Sequence, residues 1–167
     1  MITSLTEYID LKGIIDEDFV NYKVPSMTLM FPKCSFKCEV GDSNFCQNSS
    51  LANEENVNVL ISDVYKRYIG NPITEAIVMQ GLEPFDSWEE LNSLIFHFRI
   101  HESCFDDIVI YTGYNEDEID DKIDYLRKMY SNIIIKYGRY IPNQNPHFDE
   151  VLGVNLISDN QYAVRIN

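Results

Sequence analysis

Three cysteines, Cys34, Cys38 and Cys46, fall within thirteen residues of this 167-residue chain. Three residues separate the first pair and seven the second. Thiolates are soft ligands that suit iron–sulfur clusters and zinc. A structural zinc site asks for four ligands, and this segment holds no histidine and no fourth cysteine. It is also polar, with Lys33, Lys37, Glu39 and Asp42, so a role as core packing explains it poorly. A four-iron cluster on three thiolates leaves one iron open to a substrate, and the cysteine segment favours that arrangement. Cys104 stands apart, beyond a helical stretch, and reads as core.

Other groups with chemical capacity are fewer. His97 and His101 lie four apart on a predicted helix, a spacing able to chelate a metal, but a solvated helix edge is the preferred reading. His147 falls in a polar loop. No hydrolytic constellation is visible, and no catalytic side chain is expected beyond a cluster. Gly81-Leu82-Glu83-Pro84 and Thr112-Gly113 each follow an apolar run, where a parallel sheet gathers its functional groups.

The elements that must position these groups follow from apolar periodicity. Met27–Phe31, Ala76–Met79, Ile108–Tyr111 and Ile133–Tyr137 read as buried strands, with one more near Val151–Leu156. Val57–Ile69 reads as a helix with Leu60, Val64 and Tyr68 on one face, stopped by Gly70, Asn71 and Pro72. Ser87 and Glu90 have the spacing of a capping box. Trp88, Leu91, Leu94, Ile95 and Phe98 follow at helical intervals. Asn115 with Glu118 predicts the cap of a third helix, whose core face would be Ile119, Ile123, Leu126 and Tyr130. Strand–helix alternation with continuous apolar strands predicts an α/β fold. It would be an incomplete (β/α) barrel or an open, mostly parallel sheet, with helices outside and the cluster at the C-terminal strand ends. One domain spanning residues 1–167 is expected.

Composition excludes some classes. Net charge is −14, from 27 acidic and 13 basic residues, which opposes binding to a phosphate backbone. No apolar run approaches the ~18 residues of a membrane span. The charged N-terminal stretch does not read as a signal peptide, so a cytoplasmic location is expected. The acidic run Glu116–Asp124 reads as a solvated helix face.

Taken together, the motifs resemble the radical S-adenosylmethionine enzymes, and most closely the activating proteins of anaerobic ribonucleoside-triphosphate reductase. Five segments carry the resemblance across nearly the whole chain: Phe31 to Cys38 continuing to Phe45-Cys46-Gln47-Asn48; Gly81-Leu82-Glu83-Pro84; Tyr111-Thr112-Gly113-Tyr114; Gly138-Arg139-Tyr140; and Ser158-Asp159-Asn160-Gln161. The family usually places two residues between its second and third cysteines where seven stand here. It has Gly where Leu82 stands, and commonly Asp where Tyr137 stands.

The resemblance implies a 4Fe-4S cluster on Cys34, Cys38 and Cys46. It implies S-adenosylmethionine bound by Phe45, Gly81, Leu82, Glu83, Thr112 and Gly113. A flavodoxin or ferredoxin would deliver one electron, and cleavage would yield methionine and a 5′-deoxyadenosyl radical. That radical would install a glycyl radical on the large subunit of the reductase, or on another glycyl-radical protein. Two alternatives stay open: the same chemistry on a different protein, peptide or small molecule, and a non-catalytic iron–sulfur or electron-transfer protein.

Overall fold

A computed structural model describes residues 4–35 and 50–167. In chain order its elements are β1 (Tyr8–Leu11), β2 (Gly13–Asp18), β3 (Ser26–Phe31), β4 (Val57–Leu60), α1 (Ile61–Ile69), β5 (Ala76–Gly81), α2 (Trp88–Phe96), β6 (Asp107–Tyr111), α3 (Asp120–Met129), β7 (Ile133–Tyr137), β8 (His147–Asp149), β9 (Val154–Leu156) and β10 (Tyr162–Arg165). The centre is a six-stranded mixed sheet in the order β10-β7-β6-β5-β3-β2. β3, β5, β6 and β7 run parallel. β2 and β10 add antiparallel edges. β1 pairs with β4, and β8 with β9, as separate two-stranded ribbons.

The four parallel strands are the four expected from their apolar runs. Both of their faces are covered, which is why they do not alternate. On one face Ile77, Met79, Ile108, Ile110, Ile133 and Ile135 pack with the helices, against Val64, Leu91, Leu94, Ile123 and Leu126. On the other, Val78, Val109 and Ile134 pack with Tyr22 and with Leu152 and Leu156 of the C-terminal tail. That tail folds back over the sheet and closes the side where the functional motifs open.

The helices depart from expectation in two places. Val57–Leu60 is strand β4, registered against β1 from Val57↔Leu11 to Leu60↔Tyr8, and α1 begins only at Ile61. Ser87 makes no capping hydrogen bond to α2. Its neighbour Glu83 instead caps the short 3-10 turn Pro84–Ser87 by accepting from Phe85 N. α2 carries the expected buried face (Leu91, Leu94, Ile95) and then widens into a π-helical turn, His97–His101. The Asn115–Glu118 capping box forms, on a 3-10 turn just ahead of α3. Ile119, Ile123, Leu126 and Tyr130 are all buried, as expected. The acidic run is largely exposed.

One buried cation locks the starts of two strands. Arg99, 3% exposed, donates to the carbonyls of Ser131 (2.8 Å), Cys104 (2.6 Å), Asp106 (2.8 Å) and Asn132 (3.1 Å). These carbonyls precede β6 and β7, so the guanidinium fork aligns the parallel pair at the end opposite the functional motifs. Among the described residues, no helix is long and apolar enough to cross a membrane.

Candidate functional site

A cleft of about 380 Å³ opens at the C-terminal ends of β5, β6 and β7. Its lining includes Cys34, Gly81, Leu82, Glu83, Thr112 and Gly113. Six residues singled out from three separate segments of the sequence therefore share one cavity. Cys38, Phe45 and Cys46 lie outside the described residues.

The corner after β5 is built by a glycine with no substitute. Gly81 has φ +104°, and a Cβ there would meet Phe31 N at 2.5 Å and Met30 Cα at 2.8 Å, both backbone of β3. The close approach lets the two strand ends bond to each other: Leu82 N donates to Phe31 O (3.1 Å), and Glu83 N to Lys33 O (2.7 Å). Leu82 is not among the residues with positive φ, so the side chain in place of glycine is held without backbone strain. Asp86 extends the link, accepting from Ser35 N (2.7 Å) and from the Tyr114 hydroxyl (2.5 Å). The backbone around Cys34 is thus tied to the ends of both β5 and β6.

Glu83 is 4% exposed. Its Oε1 accepts from the Thr112 hydroxyl (2.8 Å) and Phe85 N (3.1 Å), and its Oε2 from Gly113 N (2.8 Å). Burial pushes its carboxyl up to about 7, against the pull of those three donors and with help from the nearby Asp86. Glu83 therefore joins the β5 and β6 ends and sits close to the midpoint of its own titration at neutral pH.

The remaining motifs meet around the end of β7. Gly138, also at positive φ (+100°), donates from its N to Tyr114 O (3.1 Å). Arg139 forms a bidentate pair with Glu118 (2.8 and 2.9 Å) and lies over the Tyr114 ring. Asn160 Nδ2 donates to Arg139 O (2.8 Å), and Gln161 lines the cleft. The Tyr-Thr-Gly-Tyr, Gly-Arg-Tyr and Ser-Asp-Asn-Gln segments are thus one bonded set. On the far wall, Asp18 fixes the loop after β2 by accepting from Val20 N (2.8 Å) and Asn21 N (3.2 Å). Tyr111 then donates to Asn21 O (2.5 Å).

Sequence reasoning missed Lys136, which lines the cleft although it stands in a strand that reads as apolar. It also missed Asn21 and Asn155. The lysine was visible as a charge inside IIIKY, but its burial depends on the tail. Tyr137, at the place where the resembled family commonly has Asp, points into the helix-side core and is fully buried. Among the described residues its hydroxyl has no hydrogen-bond partner. Tyr137→Phe removes that unpaired group and is expected to raise stability by about 1 kcal/mol, read from urea midpoints at unchanged slope. A loss of similar size would mean the hydroxyl is satisfied in solution.

The histidines differ from expectation in part. His101 is exposed, but His97 is mostly buried, with burial pushing its pKa down. Their rings stack at 5.4 Å, and His97 Nε2 is 3.2 Å from Glu102 Oε1. Among the described residues, no group of three His, Cys, Asp or Glu side chains is placed to hold a metal ion. Cys104 is half-buried against the core, and burial raises its thiol pKa, which suits a packing role.

The site fits an iron–sulfur centre in its donor chemistry. The Cys34 thiol stands at the cleft, at the head of a segment that carries two further thiols, and the strand-end backbone on which that segment stands is firmly bonded. No curated protein and no solved structure matches the chain. Residues 25–154, which run from the start of β3 to the start of β9, match the model of the family described as "4Fe-4S single cluster domain". With well over half of its length in that match, and a soft-donor cysteine segment leading into the cleft, this chain belongs to the 4Fe-4S single cluster domain family.

Proposed function

We propose that the protein is a radical S-adenosylmethionine enzyme of the activating type, acting on the large subunit of an anaerobic ribonucleotide reductase. The observation that carries this reading is the convergence of Cys34, the Gly81–Glu83 corner and Thr112-Gly113 on one cleft. The matched domain is one found in radical S-adenosylmethionine-type proteins, and the five sequence motifs point the same way.

Cys34, Cys38 and Cys46 would hold the cluster. Held there, the cluster would supply one electron, taken from a flavodoxin or ferredoxin, for the reductive cleavage of S-adenosylmethionine at its sulfonium–C5′ bond to methionine and a 5′-deoxyadenosyl radical. The chain's own residues bind and orient. The backbone at Gly81–Leu82 offers polar groups to the methionine end of the ligand. Glu83 holds the ends of β5 and β6 together at that point and, when ionised, favours a nearby ammonium. Thr112 and Gly113 fix the Glu83 carboxylate from the other strand, and Phe45 would contact the ligand. No side chain is asked to act as general acid or base. The tail over the sheet excludes water from one side of the cleft.

The test is anaerobic reconstitution with iron and sulfide, followed by dithionite and S-adenosylmethionine and measurement of 5′-deoxyadenosine. Wild type is expected to form it, and Cys34→Ala, Cys38→Ala and Cys46→Ala are expected to form none. A fully reduced, cluster-loaded wild type that forms none would sink the reading. Given activity, transfer of the radical to a reductase large subunit, read as a glycyl-radical signal by electron paramagnetic resonance, identifies the partner.

A further inference from the structure

One side chain carries the link at the head of the cysteine segment. Asp86 Oδ2 accepts from Ser35 N at 2.7 Å, and its Oδ1 accepts from the Tyr114 hydroxyl at 2.5 Å. Ser35 N is the first amide after Cys34. Asp86 stands in the 3-10 turn Pro84–Ser87, so the corner that builds the cleft also places its carboxylate. Tyr114 is held from the other side. Its N donates to Thr112 Oγ1 at 3.0 Å, its carbonyl accepts from Gly138 N at 3.1 Å, and the Arg139 guanidinium lies 5.8 Å from its ring centroid.

Turn formation does not call for this carboxylate, because Glu83 already caps the turn by accepting from Phe85 N. Both bonds to Asp86 come from neutral donors. Among the described residues, no lysine or arginine pairs with it. Lys33, two residues before Ser35, pairs with Glu90 at 3.7 Å instead. Asp86 therefore brings a negative charge to within one hydrogen bond of the backbone that follows Cys34.

We propose that Asp86 is a positioning residue for the cluster: it fixes the backbone beside Cys34 and holds the cluster's reduction potential low. The proposal rests on Cys34 being a cluster ligand, as read above. Two effects act in one direction. Negative charge near a cluster opposes the added electron, whereas hydrogen bonds to its sulfurs favour it. Asp86 supplies the charge, and it also takes the Ser35 N–H, a donor that the neighbouring sulfur would otherwise compete for. A low potential suits the reductive cleavage proposed above, which needs a strong one-electron donor.

The test compares wild type, Asp86→Asn and Asp86→Ala in the full chain. Asparagine removes the charge and keeps an oxygen for Ser35 N, whereas alanine removes both. Before iron is added, amide NMR reads hydrogen exchange at Ser35. The amide is expected to be protected in wild type and Asp86→Asn and to exchange roughly tenfold faster in Asp86→Ala. After anaerobic reconstitution, a redox titration followed by electron paramagnetic resonance reads the midpoint potential. It is run at about pH 9, so that Glu83, whose carboxyl lies at about 7 and feels the Asp86 charge, is ionised in every variant. Both variants are expected to be easier to reduce, by roughly tenfold in the reduction equilibrium or about 59 mV for one electron, with alanine shifted at least as far as asparagine. An Asp86→Asn potential equal to that of wild type overturns the proposal and leaves Asp86 a brace for the loop. A Ser35 amide that exchanges equally fast in all three proteins overturns it too. A wild type that loads no cluster defeats the reading of Cys34 and the proposal with it. A wild type that loads the cluster and shows both shifts, yet forms no 5′-deoxyadenosine, defeats the proposed function alone and leaves the role of Asp86 standing.

Discussion

Gly81→Ala is expected to lower stability by about 4 kcal/mol, which for a chain of this size is a fall of roughly 10 °C in melting temperature. Two costs combine. An alanine at φ +104° leaves the region open to L residues, a penalty of about 1–2 kcal/mol. Its Cβ also enters space held by Phe31 N at 2.5 Å, Met30 Cα at 2.8 Å and Met30 C at 2.9 Å. These are backbone atoms of the adjacent central strand, so no side chain can swing aside, and β3 must move against β5. The ladder in question is the most extended in the sheet, from Ser26↔Ala76 to Phe31↔Gly81. The same movement pulls on Leu82 N to Phe31 O and Glu83 N to Lys33 O. Under the function proposed above, the variant is also expected to bind adenosyl ligands poorly when compared at a temperature where it is still folded. Gly138→Ala makes the control. Its Cβ meets Asn160 O at 2.8 Å, which belongs to a C-terminal loop and not to a neighbouring central strand, and its expected loss is about half as large. A Gly81→Ala protein that melts within about 2 °C of wild type would show that the β3–β5 approach relaxes freely.

The central sheet was legible because central parallel strands declare themselves. Met27–Phe31 and Ile133–Tyr137 are apolar but for Thr28 and Lys136, and turn residues bound them. The outer strands were not legible, for a physical reason. β2 (GIIDED) is an edge on which Asp16 and Glu17 face solvent and only Asp18 is buried, and β10 (YAVR) has only Ala163 buried. Such segments are strands because a neighbour offers them a ladder, and composition alone carries little of that. β4 is the clearest case. Leu60, Val64 and Tyr68 keep helical spacing, which places the helix start at Val57. The β-branched Val57 and Val59 instead pair with β1, a partner that the sequence hid. The Ser87–Glu90 signature failed for a related reason. The chain turns tightly after Glu83, that carboxylate takes the capping role, and Ser87 is carried into the interior.

The site was more legible than the edges. Strand ends could be located from the apolar runs, and chemistry placed at strand ends in a parallel sheet must converge. Hence Cys34, Glu83 and Thr112, drawn from segments some 30 to 80 residues apart, reach one cavity. What spacing could not give is the far wall. Lys136, Asn155 and Gln161 become cleft residues only because the tail doubles back and the β8–β9 ribbon sits over the sheet. The bond between Glu83 and Gly113 likewise joins two motifs whose mutual contact no spacing rule predicts.

That bond sets up the second large effect, a stability that falls as pH rises. The Glu83 carboxyl goes from an ordinary 4.5 in the unfolded chain to about 7 in the folded one. Between those values the native state holds a proton that the unfolded state has released, so the slope of stability with pH is negative. The contribution is complete below about 4.5 and is lost as pH rises through about 7, a total of roughly 3 kcal/mol. Four other shifts work the other way. His97, its pKa lowered by burial, disfavours the folded state as pH falls through the histidine range. Asp16, Asp18 and Asp107, all lowered, act in the carboxylate range. Glu83→Gln isolates the term, because every other group cancels in the difference between the two proteins. The variant is expected to be less stable than wild type at about pH 5, since an amide nitrogen cannot accept from Gly113 N while a protonated carboxyl still can. The gap should then narrow steadily toward about pH 8 as wild type loses its bound proton. Under the function proposed above, binding supplies the complement: a ligand ammonium favours the ionised carboxylate, so wild-type affinity for S-adenosylmethionine should rise across the same interval and that of Glu83→Gln should stay level. Urea titrations at a series of pH values decide it. A gap that stays constant from about pH 5 to 8 would mean that the Thr112, Gly113 and Phe85 donors outweigh burial and keep Glu83 ionised throughout.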